Sequence, residues 1–315
     1  MFTYQGQPTR FIVVASMLRS AGAMDVSEVK VCILRMEGTN NEQEMFDCYH
    51  RLGAMPELVH LNQLTRRGKD SRSLLDYHVL MLPGGFSAGD YVRAGAIMAA
   101  RLRAQVWEDV ETFVAADLPV GGTCNGFQVL VEMGLLPGGP GGRATTRPTA
   151  VLAENTSGRF ECRPIHLRHI NKGRCVFTRA LPKGAMLTLA VAHREGNLQV
   201  APERASAALR RWVAKDQLVF RYCEPQQGDR GRRRGSRASV RPQVPHPWNP
   251  NGAMGDIAGL TNERGTVFGM MPHPERAFYR HQHPDWTRTR TADDVGDGRL
   301  IFASALQYVC DTFLP

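Results

Sequence analysis

From Leu118 the chain reads Leu-Pro-Val-Gly-Gly-Thr-Cys-Asn-Gly, and from Phe127 it turns at once to the apolar pattern Phe127, Val129, Leu130, Val131 and Met133. A short apolar run that stops at a glycine-flanked residue and resumes as a helix is a strand–turn–helix elbow. Gly122 and Gly126 allow the sharp reversal, which lifts the side chain between them out of the sheet. A chain built around such an elbow needs a buried strand with helices packed on it, so an α/β fold is expected. Cys124 stands at the apex, where the start of the following helix favours an anionic sulfur. The string alone also fits a buried cysteine on a tight turn. The strand before it and the helix after it favour a nucleophile.

The flanking sequence repeats the alternation. Val29 to Met36 is an apolar run of strand length, and Gly38-Thr39-Asn40-Asn41 opens a helix with an Asn expected as its N-cap and an apolar face of Met45, Phe46, Tyr49 and Leu52. Strands are expected at Leu58 to Leu61 and Val79 to Leu82, helices near 93–103 and 105–116, and a further strand running into the elbow. This order implies a mostly parallel central sheet with helices on both faces. The second half reads richer in β-structure, with strands near 159–168, 186–192 and 217–222. A hairpin is expected around Asn262-Glu263-Arg264-Gly265, and a closing helix near 299–312. Residues 137–148 read as a loop, and residues 225–247, rich in Pro, Gln, Gly and Arg, as a disordered surface insertion.

The formal charge of +9 raises the question of nucleic acid, but Arg230, Arg232, Arg233, Arg234, Arg237 and Arg241 all lie in that insertion. Removing these six leaves +3, so no uniformly basic face is implied and nucleic acid is not an expected partner. No stretch approaches the ~20 apolar residues of a membrane span. The seven cysteines are odd in number, widely spaced and free of any C-x-x-C pair. They argue against a disulfide framework or a metal site and for a reducing cytoplasm, with all but Cys124 acting as small buried hydrophobes. Phe11 to Leu18 superficially resembles a signal segment, but it is short and Arg19 interrupts it. Residues 1–28 are therefore read as an N-terminal extension, with Met24 an alternative start, and 29–315 as one domain.

A nucleophile needs a base. His273 lies in Met271-Pro272-His273-Pro274-Glu275, where the prolines are expected to hold the segment extended and bring His273 and Glu275 to the same side. Nucleophile, base and orienting carboxylate would then form a triad. A second His-x-Glu, His193 and Glu195, follows another strand and is read as a pocket or docking element. Pro83-Gly84-Gly85-Phe86 ends a strand with a glycine pair whose N–H groups suit an oxyanion.

Pro-Gly-Gly, then Gly-x-Cys-x-Gly-x-Gln, then His-Pro-Glu, in this order, resembles the class I glutamine amidotransferases. Gly85-Phe86-Ser87-Ala88-Gly89-Asp90-Tyr91, Cys124-Asn125-Gly126-Phe127-Gln128, Ala192-His193-Arg194-Glu195-Gly196, Asn249-Pro250-Asn251-Gly252 and Met271-Pro272-His273-Pro274-Glu275 are similar to the branch that serves phosphoribosylformylglycinamidine synthase. The resemblance covers about residues 29–312 and implies a flavodoxin-like class I fold. It implies that Cys124 attacks the glutamine amide, that His273 with Glu275 moves the proton, and that water releases glutamate from a thioester. Gly85 or its neighbour Phe86, with Asn125, would stabilise the oxyanion, and Arg93 and Gln128 would lie near the substrate. It further implies no cofactor or metal in this chain. ATP and Mg belong to a synthetase partner, with a third small subunit as a further partner. The competing readings are a glutaminase for another synthetase, a cysteine peptidase or deglycase on a related fold, and a non-enzymatic binding module supported only by the arginine-rich insertion.

Overall fold

The computed structural model describes residues 25–65, 69–225, 243–288 and 293–313. The N-terminal residues 1–24 and the arginine-rich stretch 226–242 lie outside them.

The first strands are β1 (Lys30–Arg35), β2 (Met55–His60), β3 (Val79–Leu82) and β4 (Val120–Thr123). After them come β5 (Val151–Ala153), β6 (Glu161–His169), β7 (Met186–His193), β8 (Asn197–Gln199), β9 (Leu218–Cys223), β10 (Ile257–Thr261) and β11 (Val267–Met270). One nine-stranded sheet has the order β2-β1-β3-β4-β11-β10-β9-β6-β7, and β5 and β8 form a separate antiparallel pair. The five strands from β2 to β11 are parallel and give the flavodoxin-like order. From β11 onward the pairings are antiparallel, which is the β-rich second half that the sequence implies. The expected hairpin is β10–β11. Its turn is tied by Asn262 Oδ1, which accepts from the N–H groups of Gly265, Thr266 and Val267.

The helices are α1 (Glu42–Arg51), α2 (Leu61–Thr65), α3 (Ala96–Gln105), α4 (Trp107–Ala115), α5 (Asn125–Glu132), α6 (Ala205–Ala214) and α7 (Arg299–Phe313). Among the described residues none is long and apolar enough to cross a membrane. The central strands β3, β4, β10 and β11 are buried along their whole length, as strands covered on both faces must be. Helix α7 buries Leu300, Ile301, Phe302, Ala305, Leu306 and Val309. Phe302 sits edge-on to Tyr49 of α1 at 5.3 Å and beside Phe278 at 6.2 Å. This aromatic wedge lies behind the 3₁₀ turn Pro274–Ala277, so α1 and α7 together support the segment that carries Glu275.

Three local expectations change. Asn41 stands at the start of α1 but does not cap it: its Nδ2 bonds Glu44 at 3.3 Å while its Oδ1 crowds Gly84. Not every other cysteine is buried, because Cys162 is exposed and Cys223 half-buried in the antiparallel half. The insertion does not run as one disordered unit to residue 247. Gln243 Nε2 donates to the carbonyls of Gly252 and Ala253, and Asp256 accepts from the Val244 N–H, so its last residues belong to the Asn249–Asp256 loop.

Candidate active site

The parallel strands β3, β4 and β11 are neighbours, and their carboxyl ends open on one edge. In open α/β sheets this edge is where ligands bind. Gly84 and Gly85 follow β3, Cys124 follows β4, and His273 follows β11, so three segments distant in sequence meet there.

Cys124 has φ 51° and ψ −108°. These are the angles of the first central residue of a type II′ turn, a place normally held by glycine. The turn is locked from below. The Cys124 N–H donates to the Met270 carbonyl at 2.8 Å, and a side chain at Gly126 would meet the Leu82 carbonyl oxygen at 2.0 Å. The sulfur sits at the start of α5 with 4% exposure, 3.6 Å from the Ala192 carbonyl at the end of β7.

His273 is 2% exposed and extended, with φ −99° and ψ 93°. Glu275 is not extended beside it. Pro274 starts a 3₁₀ turn, and it is this turn, not strand alternation, that brings the carboxylate back to the ring. Glu275 Oε1 then lies 2.5 Å from His273 Nδ1. The His273 N–H donates to the Ala190 carbonyl of β7 at 2.9 Å, and Gly84 leaves room for the ring, because a side chain there would meet its Cε1 at 2.9 Å. Burial alone would depress the imidazolium, but the Glu275 carboxylate and the Cys124 sulfur outweigh it and push the pKa up to about 10. His273 Nε2 has no conventional partner and is the ring nitrogen left for the Cys124 sulfur.

Around Cys124 opens a cleft of about 420 Å³, lined by Gly85, Phe86, Asp90, Gln128, His193 and Glu195 among others. The bridge between Thr39 and Gly85 uses the Phe86 N–H, which donates to Gly38 at 2.7 Å. Strand alternation therefore turns the Gly85 N–H away from Thr39. The Asn125 N–H is the first of α5 and has no intrahelical acceptor. The Asn125 side chain is fully used: Oδ1 accepts from the Ser87 N–H at 3.2 Å, and Nδ2 donates to Gln128 Oε1 at 3.0 Å and Asp90 Oδ1 at 3.3 Å. Gln128 Nε2 donates to the Glu195 carbonyl at 2.6 Å. Phe86 and Phe160 stand at the mouth, with ring centroids 6.3 Å apart.

Arg93 is not in this cleft. Glu132, at the end of α5, takes its guanidinium in a two-pronged pair, with Nε to Oε1 at 2.7 Å, and turns it into a neighbouring groove with Val92, Ile97 and Arg103. His193 and Glu195 are in the cleft, Glu195 with its Oε2 accepting from the Ala94 N–H at 3.0 Å. Two contributors were not singled out from the sequence. Asp90 faces the same space, its carboxyl pushed up to about 6 by burial and then by the charge of Glu195. Its only signal was its place after Gly89. Ala192 contributes a backbone carbonyl, for which a side-chain pattern gives no signal.

A family model of the CobB/CobQ-like glutamine amidotransferase domain matches residues 28–309. The chain belongs to this family. The amidotransferase is 42% identical over 290 residues to the phosphoribosylformylglycinamidine synthase subunit PurQ of Archaeoglobus fulgidus, covering 91% of this chain and 99% of that one. It is 40% identical over 276 residues to the same subunit of Picrophilus torridus, covering 87% and 96%. A solved structure of PurLQS from Thermotoga maritima superposes with a TM-score of 0.63 at 28% identity, covering 90% of the amidotransferase and 99% of that chain. Membership favours the glutaminase readings over the peptidase, deglycase and binding-module readings.

Proposed function

We propose that this amidotransferase is the glutaminase subunit of a phosphoribosylformylglycinamidine synthase and that Cys124, His273 and Glu275 are its catalytic triad. The observation that carries the reading is the buried Cys124–His273–Glu275 alignment at the carboxyl edge of the sheet.

Glutamine enters past Phe86, and its ammonium group takes the two carboxylates of Asp90 and Glu195. The Cys124 thiolate attacks the side-chain amide carbon. The N–H groups of Gly85 and Asn125 hold the oxyanion. His273, kept charged by Glu275, gives its Nε2 proton to the departing nitrogen, so ammonia leaves neutral and a thioester remains. The now neutral imidazole takes a proton from water, which attacks the thioester and releases glutamate. His273 and Cys124 return to their starting charges. Gln128 acts indirectly, fixing Asn125 and the Glu195 backbone.

Ammonia that reaches bulk water is protonated and stops being a nucleophile. It must therefore pass through protein to a synthetase subunit, the partner that binds ATP and Mg and makes the amidine, with a third small subunit in the assembly. The compartment that fits is the cytoplasm. The test is Cys124→Ala in the assembled synthase. Glutamine-dependent amidine formation should be lost while ammonium-salt-dependent formation persists. Continued use of glutamine would refute the assignment.

A further inference from the structure

His193 is 3% exposed, lies in the cleft with Cys124, and has no hydrogen-bond partner on either ring nitrogen. Everything else about it is tightly held. Its carbonyl accepts from Asn155 Nδ2 at 2.9 Å, and Asn155 Oδ1 accepts in turn from the Gly196 N–H at 3.1 Å. The ring rests on Gly196, where a side chain would meet Cε1 at 2.3 Å. Leaving a buried polar group unpaired costs roughly 1–3 kcal/mol. A rigidly held imidazole with two open nitrogens is therefore built for a small polar ligand.

The mechanism generates one such species at this place. Cys124 lies against the Ala192 carbonyl, one residue before His193, so nitrogen expelled from the adduct appears beside the ring. Resting on the glutaminase reading above, we propose that His193 is the first station for released ammonia: its unprotonated ring nitrogen accepts an ammonia N–H and holds the molecule for transfer to the synthetase. A receiving group must not protonate ammonia, and this one has no proton to spare. Burial first, and then the neighbouring His273 charge, hold its pKa down at about 3. His273 has just given up its proton when ammonia leaves, but burial, the larger cause, persists. Two neighbouring imidazoles thus have opposite habits, His273 supplying a proton and His193 refusing it.

The experiment uses the assembled synthase with His193→Leu and His193→Gln, and measures glutamate formed per amidine formed. In wild type the ratio should be near one. In His193→Leu it should rise about 5-fold or more, with free ammonia in the medium, while labelling of Cys124 by an electrophilic glutamine analogue slows by no more than about 3-fold. His193→Gln, which keeps a neutral acceptor, should bring the ratio at least halfway back. An unchanged ratio in both variants overturns the proposal. So does loss of Cys124 labelling in both, because His193 would then belong to the acylation step. If His193→Leu does not fold, the ratio in His193→Gln decides: a value above wild type supports the proposal, and a value equal to it overturns it. Absence of analogue labelling in the wild-type synthase would instead sink the glutaminase reading itself.

Discussion

Cys124→Gly should abolish glutamine chemistry and yet give a protein more stable than Cys124→Ala. At φ 51° and ψ −108° an L-residue is held in a glycine conformation, which costs on the order of 1–3 kcal/mol. Alanine keeps the Cβ and hence the strain; glycine removes both. Against this, glycine gains unfolded-state freedom, a loss of roughly 0.5–1 kcal/mol relative to alanine. The net advantage of glycine over alanine is therefore about 0–2.5 kcal/mol, the reverse of the usual order wherever the strain exceeds the entropy. For a chain of this size, 1 kcal/mol moves the midpoint by roughly 1.5–2 °C, so the glycine variant should melt up to about 5 °C above the alanine variant. Urea unfolding of both, with equal m-values, would give the difference directly. A glycine variant that melts below the alanine variant would show that any backbone strain at Cys124 is smaller than the roughly 0.5–1 kcal/mol that glycine loses through the unfolded state.

Further outcomes follow from the same geometry. His273→Ala should lower glutamine-dependent kcat by about 10³-fold, as loss of the proton-transfer group does, whereas ammonium-dependent turnover by the synthetase should hold. Because the His273 pKa is raised to about 10, its charge is present through neutrality and lost only as pH rises through that value. Glu275→Gln should move this alkaline limb of the pH–rate profile toward neutrality, and an unmoved limb would remove Glu275 from the triad. The Asp90 carboxyl is raised to about 6, so it is charged above that pH and neutral below it. The KM for glutamine should rise as pH falls from 7 to 5, and Glu195→Gln, by removing the repelling charge, should shift that rise to lower pH. A flat KM over this range would argue against an ammonium site there. Deleting 226–242 should leave glutaminase activity within about 3-fold. Extending the deletion to 245 should lower the melting temperature, because Gln243 and Val244 hold the Asn249–Asp256 loop.

The elbow and the strand–helix alternation made the parallel half legible, since both are written in adjacent residues. The candidate triad was legible because Cys124 and the His273–Glu275 pair sit in short, unusual strings. What escaped was non-local. Arg93 adjoins Ala94, which lines the cleft, but its pair with Glu132 turns it outward. Asp90 and Glu195 converge because Ala94 and Asn125 hold their loops, contacts across 101 and 35 residues. The β5–β8 pair was missed because three-residue strands carry too little periodicity to register. The 3₁₀ turn at Pro274 replaced an extended segment because a proline favours a helix start as readily as a strand end.

The bridge between Ala190 and His273 has a mechanical meaning. Strand β7 is the last in the sheet, with three strands between it and β11, yet its free edge returns to the loop that β11 feeds. His273 is thus anchored twice, by its own chain and by the far margin of the antiparallel half, while the backbone of Cys124 is held by the parallel half. The same β7 ends in the carbonyl that touches the sulfur. One strand at the margin of the sheet therefore touches both His273 and the Cys124 sulfur, so any displacement of β7 would be felt at the two side chains together.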